Sequence, residues 1–266
     1  MHLRLGAPGL TGAMVKNIHH VGIVVRSLAK AYGFWRDAMG LTLLREAEIP
    51  DQGVRAALLA AGDSEIELLE PTREDTGVAR FLAKRGEGLH HLCLETANVD
   101  ADLGALRAQG IPLLDETPRQ GLAGRIAFLN PSACHGVLVE LATPPAPAAH
   151  VDSPVRFKRL VIGCRDPQDT AKSYAQTFGL PEVAVNDGPR SMLGWSGGGT
   201  LLMVPASEVG GALGMAALSM VAPEMAPLVE RLKKIDAMMF YGASEITLKP
   251  EAGNNVHLHI SRYHFP

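Results

Sequence analysis

The stretch GLHHLCLE, residues 88–95, places two adjacent histidines at the start of a segment in which apolar and polar residues alternate. Alternation with a period of two is typical of a β-strand with one buried face. A second stretch, IHHVGIVV at residues 18–25, repeats this pattern. Since successive strand side chains point to opposite faces, we expect His20 and His91 to face inward and the first histidine of each pair to face away.

The two histidine pairs begin two similar units of the chain. Each is followed by apolar residues at helical spacing, over Leu28–Met39 in the first unit and Val99–Ala108 in the second, and a glycine follows each segment. Three more strands are predicted after each helix, so both units have the order β-α-β-β-β. The predicted strands are TLLREAEI, VRAALLA and SEIELLE in the first unit and PLLDE, RIAFLN and GVLVELA in the second.

The pair of units recurs, more faintly, in the second half of the chain. After a stretch rich in Pro and Ala at 143–154, which is typical of a linker, the segment beginning FKRLVIGC aligns without a gap with the segment beginning IHHVGIVV. Residues 214–234 align in the same way with the segment beginning GLHHLCLE. We therefore predict an α+β fold of four β-α-β-β-β units, arranged as two tandem domains at 15–143 and 155–266.

The composition excludes several classes of partner. The 266 residues are 47% hydrophobic and 20% charged, with 25 Lys and Arg against 28 Asp and Glu and no basic run, which argues against nucleic acid and anionic membranes as principal partners. Three widely spaced cysteines without a C-x-x-C pair predict reduced thiols and a cytoplasmic protein. Residues 1–13 are too short and too interrupted by Gly and Pro for a signal peptide or a membrane span, so we expect the folded part to begin at Met14.

An imidazole and a carboxylate recur together in both units. Glu67 follows His20, and Glu140 follows His91, at nearly equal separations. Each glutamate is flanked by aliphatic strand residues, and a carboxylate buried there must be protonated, paired or bound to a metal. If the units pack around a pseudo-two-fold axis, the four side chains meet at the centre of a curved sheet. Such a mixed nitrogen and oxygen site suits Zn, Co, Ni, Mn or Fe, and in an octahedral ion it leaves two positions open for an oxygen substrate.

These motifs resemble the vicinal oxygen chelate superfamily of glyoxalases, bleomycin resistance proteins and dioxygenases, and within it the methylmalonyl-CoA epimerase branch most of all. The resemblance covers roughly residues 15–143, and it implies two tandem vicinal oxygen chelate domains with curved mixed sheets, of which the first binds a metal. The motifs that carry it are IHHVGIVV, DQGVRAALLAAGDSEIELLEP, GVARFLAKRGEGLHHLCLE, IPLLDETPRQGLAGRIAFLNP and GVLVELATP.

The resemblance implies a divalent metal ion, Co, Zn, Mn or Ni, held by His20, Glu67, His91 and Glu140. The implied reaction is inversion at the acidic carbon between a thioester and a carboxylate, through removal and return of the α-proton. The implied substrate is a small molecule, an acyl-CoA thioester. Single-pair relatives often dimerise, so a homodimer is a further expectation, unless the second domain replaces the partner.

Inversion needs a base on one face of the carbon and an acid on the other. Some epimerases of this family are thought to use an acidic residue on the strand that follows the QGV motif, where this chain has Arg55 and Ala56. Two candidate catalytic residues remain. Glu140 would act both as ligand and as base, whereas Glu48 is close in sequence to the same strand and is alternatively a solvated loop residue.

The second domain is expected to keep the fold without the metal. The internal alignment places Arg159 opposite His20, Leu201 near Glu67, Ala217 opposite His91 and His259 opposite Glu140. At most one of these four positions keeps a side chain of the ligand type. His257 shares a strand face with His259, and the two are expected to line a pocket or an interface.

Other functions fit parts of the same pattern. Glyoxalase I is the main alternative, because its ligands also occur in the order His, Glu, His, Glu. Extradiol dioxygenases have a similar tandem layout but hold iron with two histidines and one glutamate, usually in the C-terminal half. Proteins of this fold also include binding modules that sequester antibiotics without a working metal site.

Two further features are ambiguous. No residue set identifies a handle on the substrate, although Arg45, Arg55, Arg125 and Lys84 are candidate partners for an anion. GWSGG at 194–198 fits the nucleophile motif G-x-S-x-G, but a strand rather than a helix is predicted after it. We therefore predict a glycine-rich turn there.

Overall fold

A computed structural model describes residues 14–146, 151–183, 189–195 and 199–262 of the chain. Residues 1–13 and part of the predicted linker lie outside these ranges, as do residues 196–198, the last three of the GWSGG segment in which a glycine-rich turn is predicted. Within the described ranges, the strands form two sheets of eight.

The first sheet contains the first eight strands in the order β2-β3-β4-β1-β5-β8-β7-β6, with β1 and β5 side by side at its centre. Its strands are β1 (Val15–Val24), β2 (Thr42–Ile49), β3 (Val54–Ala61), β4 (Ser64–Pro71), β5 (Gly88–Thr96), β6 (Arg119–Gly121), β7 (Gly124–Phe128) and β8 (Val139–Thr143). Its helices are α1 (Leu28–Tyr32), α2 (Gly77–Arg85) and α3 (Val99–Ala108).

The second sheet repeats this topology in the order β10-β11-β12-β9-β13-β16-β15-β14. Its strands are β9 (Arg156–Cys164), β10 (Glu182–Val183), β11 (Ser191–Trp195), β12 (Gly199–Pro205), β13 (Gly214–Val221), β14 (Met239–Tyr241), β15 (Glu245–Leu248) and β16 (Leu258–Ser261). Its helices are α4 (Pro167–Phe178) and α5 (Met225–Lys234). The predicted α+β fold with two tandem domains and mixed sheets is thereby confirmed.

The order of the strands explains how distant residues meet. Within each unit the first and last strands are parallel neighbours: β1 pairs with β4, and β5 pairs with β8. The two units join through the antiparallel pairing of β1 with β5. Residues on four strands that are far apart in sequence therefore lie next to one another at the centre of the sheet.

Two local predictions differ from the structure. The segment PLLDE forms only an isolated bridge, between Leu113 and Leu129. The Asp115 carboxylate accepts a hydrogen bond from the backbone N–H of Phe128 at 2.9 Å, in place of the backbone carbonyl that a paired strand would offer. The sixth strand lies instead at Arg119–Gly121. The predicted helix over Leu28–Met39 changes after Tyr32 into a π-helix over Gly33–Ala38, in which the adjacent Phe34 and Trp35 are both buried.

The two sheets share one hydrophobic core. A single cluster of buried apolar residues runs through both of them and through α1, α3, α4 and α5. Reciprocal hydrogen bonds join the two halves: the Trp35 indole donates to Asn254 Oδ1 at 2.9 Å, and the Tyr174 hydroxyl donates to the Cys134 carbonyl at 3.0 Å. We propose residues 15–143 and 155–266 as the domain boundaries, with extensive apolar contact between the domains.

No helix among the described residues combines the length and the apolar character needed to cross a membrane.

Candidate metal centre

The centre of the first sheet carries the four predicted ligands. His20 lies on β1, Glu67 on β4, His91 on β5 and Glu140 on β8, and all four residues are at least 95% buried. Gly22 pairs with both Glu67 and His91, and Cys93 pairs with both His20 and Glu140. Directly paired residues in a sheet present their side chains on one face, so the register brings the quartet together.

The first histidine of each pair does not face away, contrary to the expectation from simple alternation. The pairing of β1 with β5 skips His19 and also skips His90, so each is the extra residue of a β-bulge. The bulge turns its imidazole back toward its neighbour. His19 Nδ1 lies 2.9 Å from His20 Nδ1, and His90 Nδ1 lies 3.0 Å from His91 Nδ1.

The ligand atoms of His20, Glu67 and His91 lie within 4.8 Å of one another, and the Glu140 carboxylate lies just outside this group of three. The Nε2 atoms of His20 and His91 are 2.9 Å apart. The Glu67 carboxylate lies 3.4 Å from His20 Nε2 and 3.3 Å from His91 Nε2. The Glu140 carboxylate lies 3.9 and 3.7 Å from the same two nitrogens.

These distances fit a divalent cation. An octahedral ion with ligand bonds of about 2.1 Å holds neighbouring ligands about 3.0 Å apart and opposite ligands about 4.2 Å apart. The separations among the His20 and His91 nitrogens and the Glu67 carboxylate, 2.9–3.4 Å, are close to those of neighbouring ligands, and the Glu140 carboxylate lies 3.7–3.9 Å from the two nitrogens. Since two imidazoles and two carboxylates are also the donor set expected for Zn, Co, Ni or Mn, the residues present fit the metal that the superfamily implies.

The two bulge histidines orient the rings of the candidate ligands. Burial and the neighbouring His20 lower the pKa of His19 to about 3, and burial and His91 lower the pKa of His90 to about 3, so both are neutral at physiological pH. A neutral imidazole holds one ring proton and can share it with the Nδ1 atom opposite. Such a contact fixes the tautomer and leaves Nε2 of His20 and His91 directed at the centre.

The two glutamates differ electrostatically. Burial acts to raise the pKa of Glu67, but the imidazoles of His20 and His91 outweigh it and hold that pKa below its usual range. Burial dominates at Glu140 and raises its pKa. Glu140 is therefore the more basic of the two carboxylates, a property expected of a group that accepts a proton.

The centre opens into a cavity of about 860 Å³, which is lined by Glu67, His91 and Glu140 at one end. Five basic side chains form what we call the cationic wall, Arg73, Arg80, Lys84, Arg85 and Arg119. Asp51, Asp75 and Asp115 line the cavity as well, and Asp75 and Asp115 form ion pairs with Arg73 and Arg119. Another part is apolar and includes Leu69, Leu122, Ile126, Phe128 and Leu138. The second domain also contributes to the wall, through Leu213 and Met215.

Sequence reasoning found only a small part of the cationic wall. Of the four candidate anion partners, Lys84 lines the cavity and Arg45, Arg55 and Arg125 do not. Arg125 forms an ion pair with Asp100 at 2.6 Å instead. Most of the missed cations lie on or beside α2, which was not predicted as a helix, although Val78, Phe81 and Leu82 have helical spacing and pack against one apolar cluster.

The structure separates the two candidate catalytic glutamates. Glu140 lines the cavity, whereas Glu48 is exposed on the edge strand β2, opposite Arg55, and is not among the residues that line the cavity. Ala56 is fully buried and pairs with Leu69, which does line the cavity. A short apolar side chain therefore occupies the position where an acidic residue was expected.

The second sheet has a different set of side chains at the corresponding positions. Its register places Arg159, Ala217 and His259 where the first sheet has His20, His91 and Glu140, as the alignment predicted. The counterpart of Glu67 is Leu202, one residue beyond the predicted Leu201. In the described part of this sheet, no three His, Cys, Asp or Glu side chains lie close enough to hold a metal ion.

Comparisons with known proteins agree with this geometry. The profile of the Glyoxalase/Bleomycin resistance protein/Dioxygenase superfamily matches residues 19–128. An uncharacterized protein of Bacillus subtilis, YqjC, is 39% identical over 49% of this chain and 94% of its own length. The mitochondrial methylmalonyl-CoA epimerase of Homo sapiens is 36% identical over 47% of this chain and 72% of its own length.

A solved structure of a Streptomyces coelicolor methylmalonyl-CoA epimerase variant, in complex with 2-nitronate-propionyl-CoA, is 43% identical over 50% of this chain and 99% of that chain, with a TM-score of 0.48. These relatives correspond in length to one half of the chain, and the epimerase similarity lies in the N-terminal half. The chain belongs to the Glyoxalase/Bleomycin resistance protein/Dioxygenase superfamily.

Proposed function

We propose that the chain is a metal-dependent isomerase that removes and returns the α-proton of an acyl-CoA thioester of the malonyl type, as methylmalonyl-CoA epimerase does. The single observation that carries the proposal is the buried quartet, in which the two imidazole Nε2 atoms lie 2.9 Å apart and each lies 3.3–3.9 Å from both carboxylates. The curated epimerases that are about one-third identical to this chain support the choice of reaction.

His20, Glu67, His91 and Glu140 would hold a divalent ion, with Co, Zn, Mn or Ni as the candidates. When bound, the ion would supply Lewis-acid stabilisation of the negative charge that develops on the substrate oxygens. The protein itself supplies a buried set of donor groups, since all four residues are at least 95% buried. Charge that develops there is little screened by water.

Proton transfer is assigned to Glu140. Its carboxylate lines the cavity next to His91, where it can reach a proton of a bound substrate. Return of the proton from the opposite face needs a second carrier. Because Ala56 offers no acid there, we propose a water molecule in the cavity for that role.

The cavity wall favours a long anionic substrate. Five cationic side chains, Arg73, Arg80, Lys84, Arg85 and Arg119, line it beyond the quartet. Phosphate groups of a coenzyme A handle would pair with these side chains, while the apolar wall would contact the linker between the phosphates and the thioester. The free cysteines among the described residues are buried, which fits a reducing compartment such as the cytoplasm.

The test is solvent exchange. Full-length protein loaded with cobalt is incubated in deuterated buffer with methylmalonyl-CoA, and deuterium at the α-carbon is measured by mass spectrometry. We expect exchange that a chelator abolishes and that is lost in His91→Ala. Arg26→Ala, which changes an exposed arginine that does not line the cavity, is the matched control and should exchange at the wild-type rate.

A glyoxalase I-type reaction is the second candidate, because Ala56 removes the acidic residue expected of an epimerase. The same protein is therefore assayed with the hemithioacetal of glutathione and methylglyoxal. Isomerisation of that compound, without α-exchange in any malonyl-type thioester, would overturn the epimerase proposal in favour of the glyoxalase. Sedimentation of the same sample tests the expected homodimer.

A further inference from the structure

The second sheet carries a row of polar side chains at the place where the first sheet carries the metal quartet. In strand order, Thr200 pairs with Arg159, Arg159 with Ser219, Ser219 with His259, and His259 with Thr247. The corresponding row of the first sheet is Glu65, His20, Cys93, Glu140 and Phe128.

The row lies on the face of the sheet that points away from the core. The alternating neighbours Leu160, Leu218 and Ile260 are fully buried in the shared apolar cluster. Arg159, by contrast, is only partly buried, as are three other members of the row. Because directly paired residues share a face, all five side chains point to the same side, on which all but Thr200 are partly exposed.

The charge of this face is opposite to that of its counterpart. The first sheet directs Glu65, Glu67 and Glu140 toward its centre, whereas the second has Thr200, Leu202 and His259 at the same register positions. Arg159 replaces a metal ligand, and Lys158, the adjacent bulge residue, donates to Ser261 Oγ on the same face at 3.1 Å. The first centre therefore suits a cation, and the second suits an anion.

The Arg159 guanidinium has unused donors. Its one hydrogen bond to a described residue is from Nε to Thr200 Oγ1, at 3.4 Å, and no carboxylate of the described chain lies within ion-pair distance of it. Burial lowers the pKa of Arg159, and no acidic side chain offsets this effect. The exposed Glu245 acts on Lys158 and His259 but not on Arg159. A partly buried arginine with free donors favours a planar oxyanion as its partner.

The next register row is apolar. Leu202 pairs with Val161, and Val161 pairs with Ala217, so three aliphatic side chains lie beside the polar row on the same face. This juxtaposition fits an anion that carries a short aliphatic portion better than it fits a bare inorganic ion. We propose that the second domain binds a small organic carboxylate on this face, with its carboxylate on Arg159, Ser219 and His259 and its aliphatic part on Leu202, Val161 and Ala217.

The test resolves the site residue by residue. Backbone amide NMR spectra of the full-length protein are recorded during titration with butyrate and, separately, with inorganic phosphate. We expect butyrate to give saturable shifts in the amides of Arg159, Ser219 and His259, at lower concentration than phosphate does. Phosphate that binds to the cationic wall of the first domain would shift other amides, so the two sites are distinguished.

Variants assign the response to Arg159. Arg159→Gln should weaken butyrate binding by about tenfold or more, since a charge-assisted hydrogen bond to a carboxylate is lost. Arg165→Gln, which changes an exposed arginine just beyond β9, should bind as the wild type does. Leu202→Ala tests the aliphatic contact without changing charge and should weaken butyrate while leaving phosphate unaffected.

Two results would overturn the proposal. One is a failure of the butyrate response: either the three amides show no saturable shifts, or the shifts persist unchanged in Arg159→Gln although the spectrum of this variant is that of a folded protein. The other is tighter binding of phosphate than of butyrate, which would exclude the organic carboxylate as the ligand class. Neither outcome depends on the reaction proposed for the first domain.

Discussion

At the scale of single residues, the candidate metal centre depends on the absence of a side chain at Gly22. Gly22 pairs with both Glu67 and His91, and a Cβ atom at this position would overlap the imidazole ring of His91. Only glycine leaves the ring room to reach the centre of the sheet. The HHVGI pattern of the sequence thus has a steric reason that could not be derived without the partner strand.

Gly22→Ala should displace the His91 ring and lower the affinity for cobalt at least about tenfold, as loss of ligand orientation does in other metal sites. Gly33→Ala is the matched control, because Gly33 has helical dihedral angles and nothing lies near its added methyl group. That control should raise the free energy of unfolding by about 0.5–1 kcal/mol without changing metal affinity. Equal cobalt affinity in both variants, measured by titration calorimetry, would contradict the account.

The reactivity of the cysteine thiols toward a labelling reagent is predicted to stay low at both pH 8 and pH 9. Cys93, Cys134 and Cys164 are buried, and burial raises the pKa of Cys134 to about 12 and raises those of Cys93 and Cys164. Since the thiolate is the reactive form, a raised pKa keeps these thiols protonated and inert at pH 8. Ellman's reagent should label none of them in native protein at pH 8 or pH 9, and all three in denaturant. Rapid labelling of the native protein would contradict the burial described for these residues.

At the scale of elements, the edge strand β2 and the central strand β8 carry the two candidate proton carriers. Glu48 on β2 is exposed and faces Arg55 across the strand pair, whereas Glu140 on β8 is buried at the cavity end. From the sequence alone both glutamates are candidate proton carriers, because the sequence does not give the strand register that decides which of them reaches the cavity.

Exchange of the α-proton should therefore fall at least about a hundredfold in Glu140→Gln, the range typical of lost general-base catalysis, and less than about twofold in Glu48→Gln. The rate of deuterium uptake in metal-replete protein measures both. A large loss in Glu48→Gln, with metal content unchanged, would reassign the proton transfer to β2.

The strands and the repeat were predictable from sequence because alternation, helical spacing and internal similarity are local patterns. They predict β2 and α3 with the bounds observed, and they predict that the first and last strands of the unit bring His20 and Glu67 together. The quartet was predictable because the same pair of residue types occurs twice.

Other features depend on contacts that no local pattern encodes. The bulges at His19 and His90 arise from a shift of register between β1 and β5. The Asp115 side chain replaces a strand hydrogen bond, so PLLDE does not form the predicted strand. Helix α2 has no fully buried residue, and its apolar spacing is correspondingly weak.

At the scale of the whole molecule, the second domain completes the cavity of the first. Leu213, in the loop before β13, and Met215, on β13, both line the cavity. Between them, Gly214 packs closely against the Gly136 carbonyl of the first domain. The small residues at this contact allow the two backbones to approach. The domain without the metal quartet thus forms part of the proposed substrate site.

Leu213→Asp should raise KM for the thioester about fivefold, which corresponds to the loss of about 1 kcal/mol of apolar contact, with kcat and metal content little changed. Ile235→Asp is the control, because Ile235 is a similarly exposed apolar residue of the second domain that does not line the cavity. Steady-state kinetics of the two variants separate a role in substrate binding from a general effect on the domain. An unchanged KM in Leu213→Asp would remove the second domain from the substrate site.

The central claim is that one divalent ion binds between His20, Glu67, His91 and Glu140. X-ray absorption spectroscopy of full-length protein loaded with cobalt, together with its metal content, tests this claim most directly. We predict one cobalt per chain, with two imidazole and additional oxygen donors at about 2.1 Å, and loss of one imidazole in His91→Ala. Cobalt that binds without imidazole donors, or a chain that retains none after dialysis, would contradict the account.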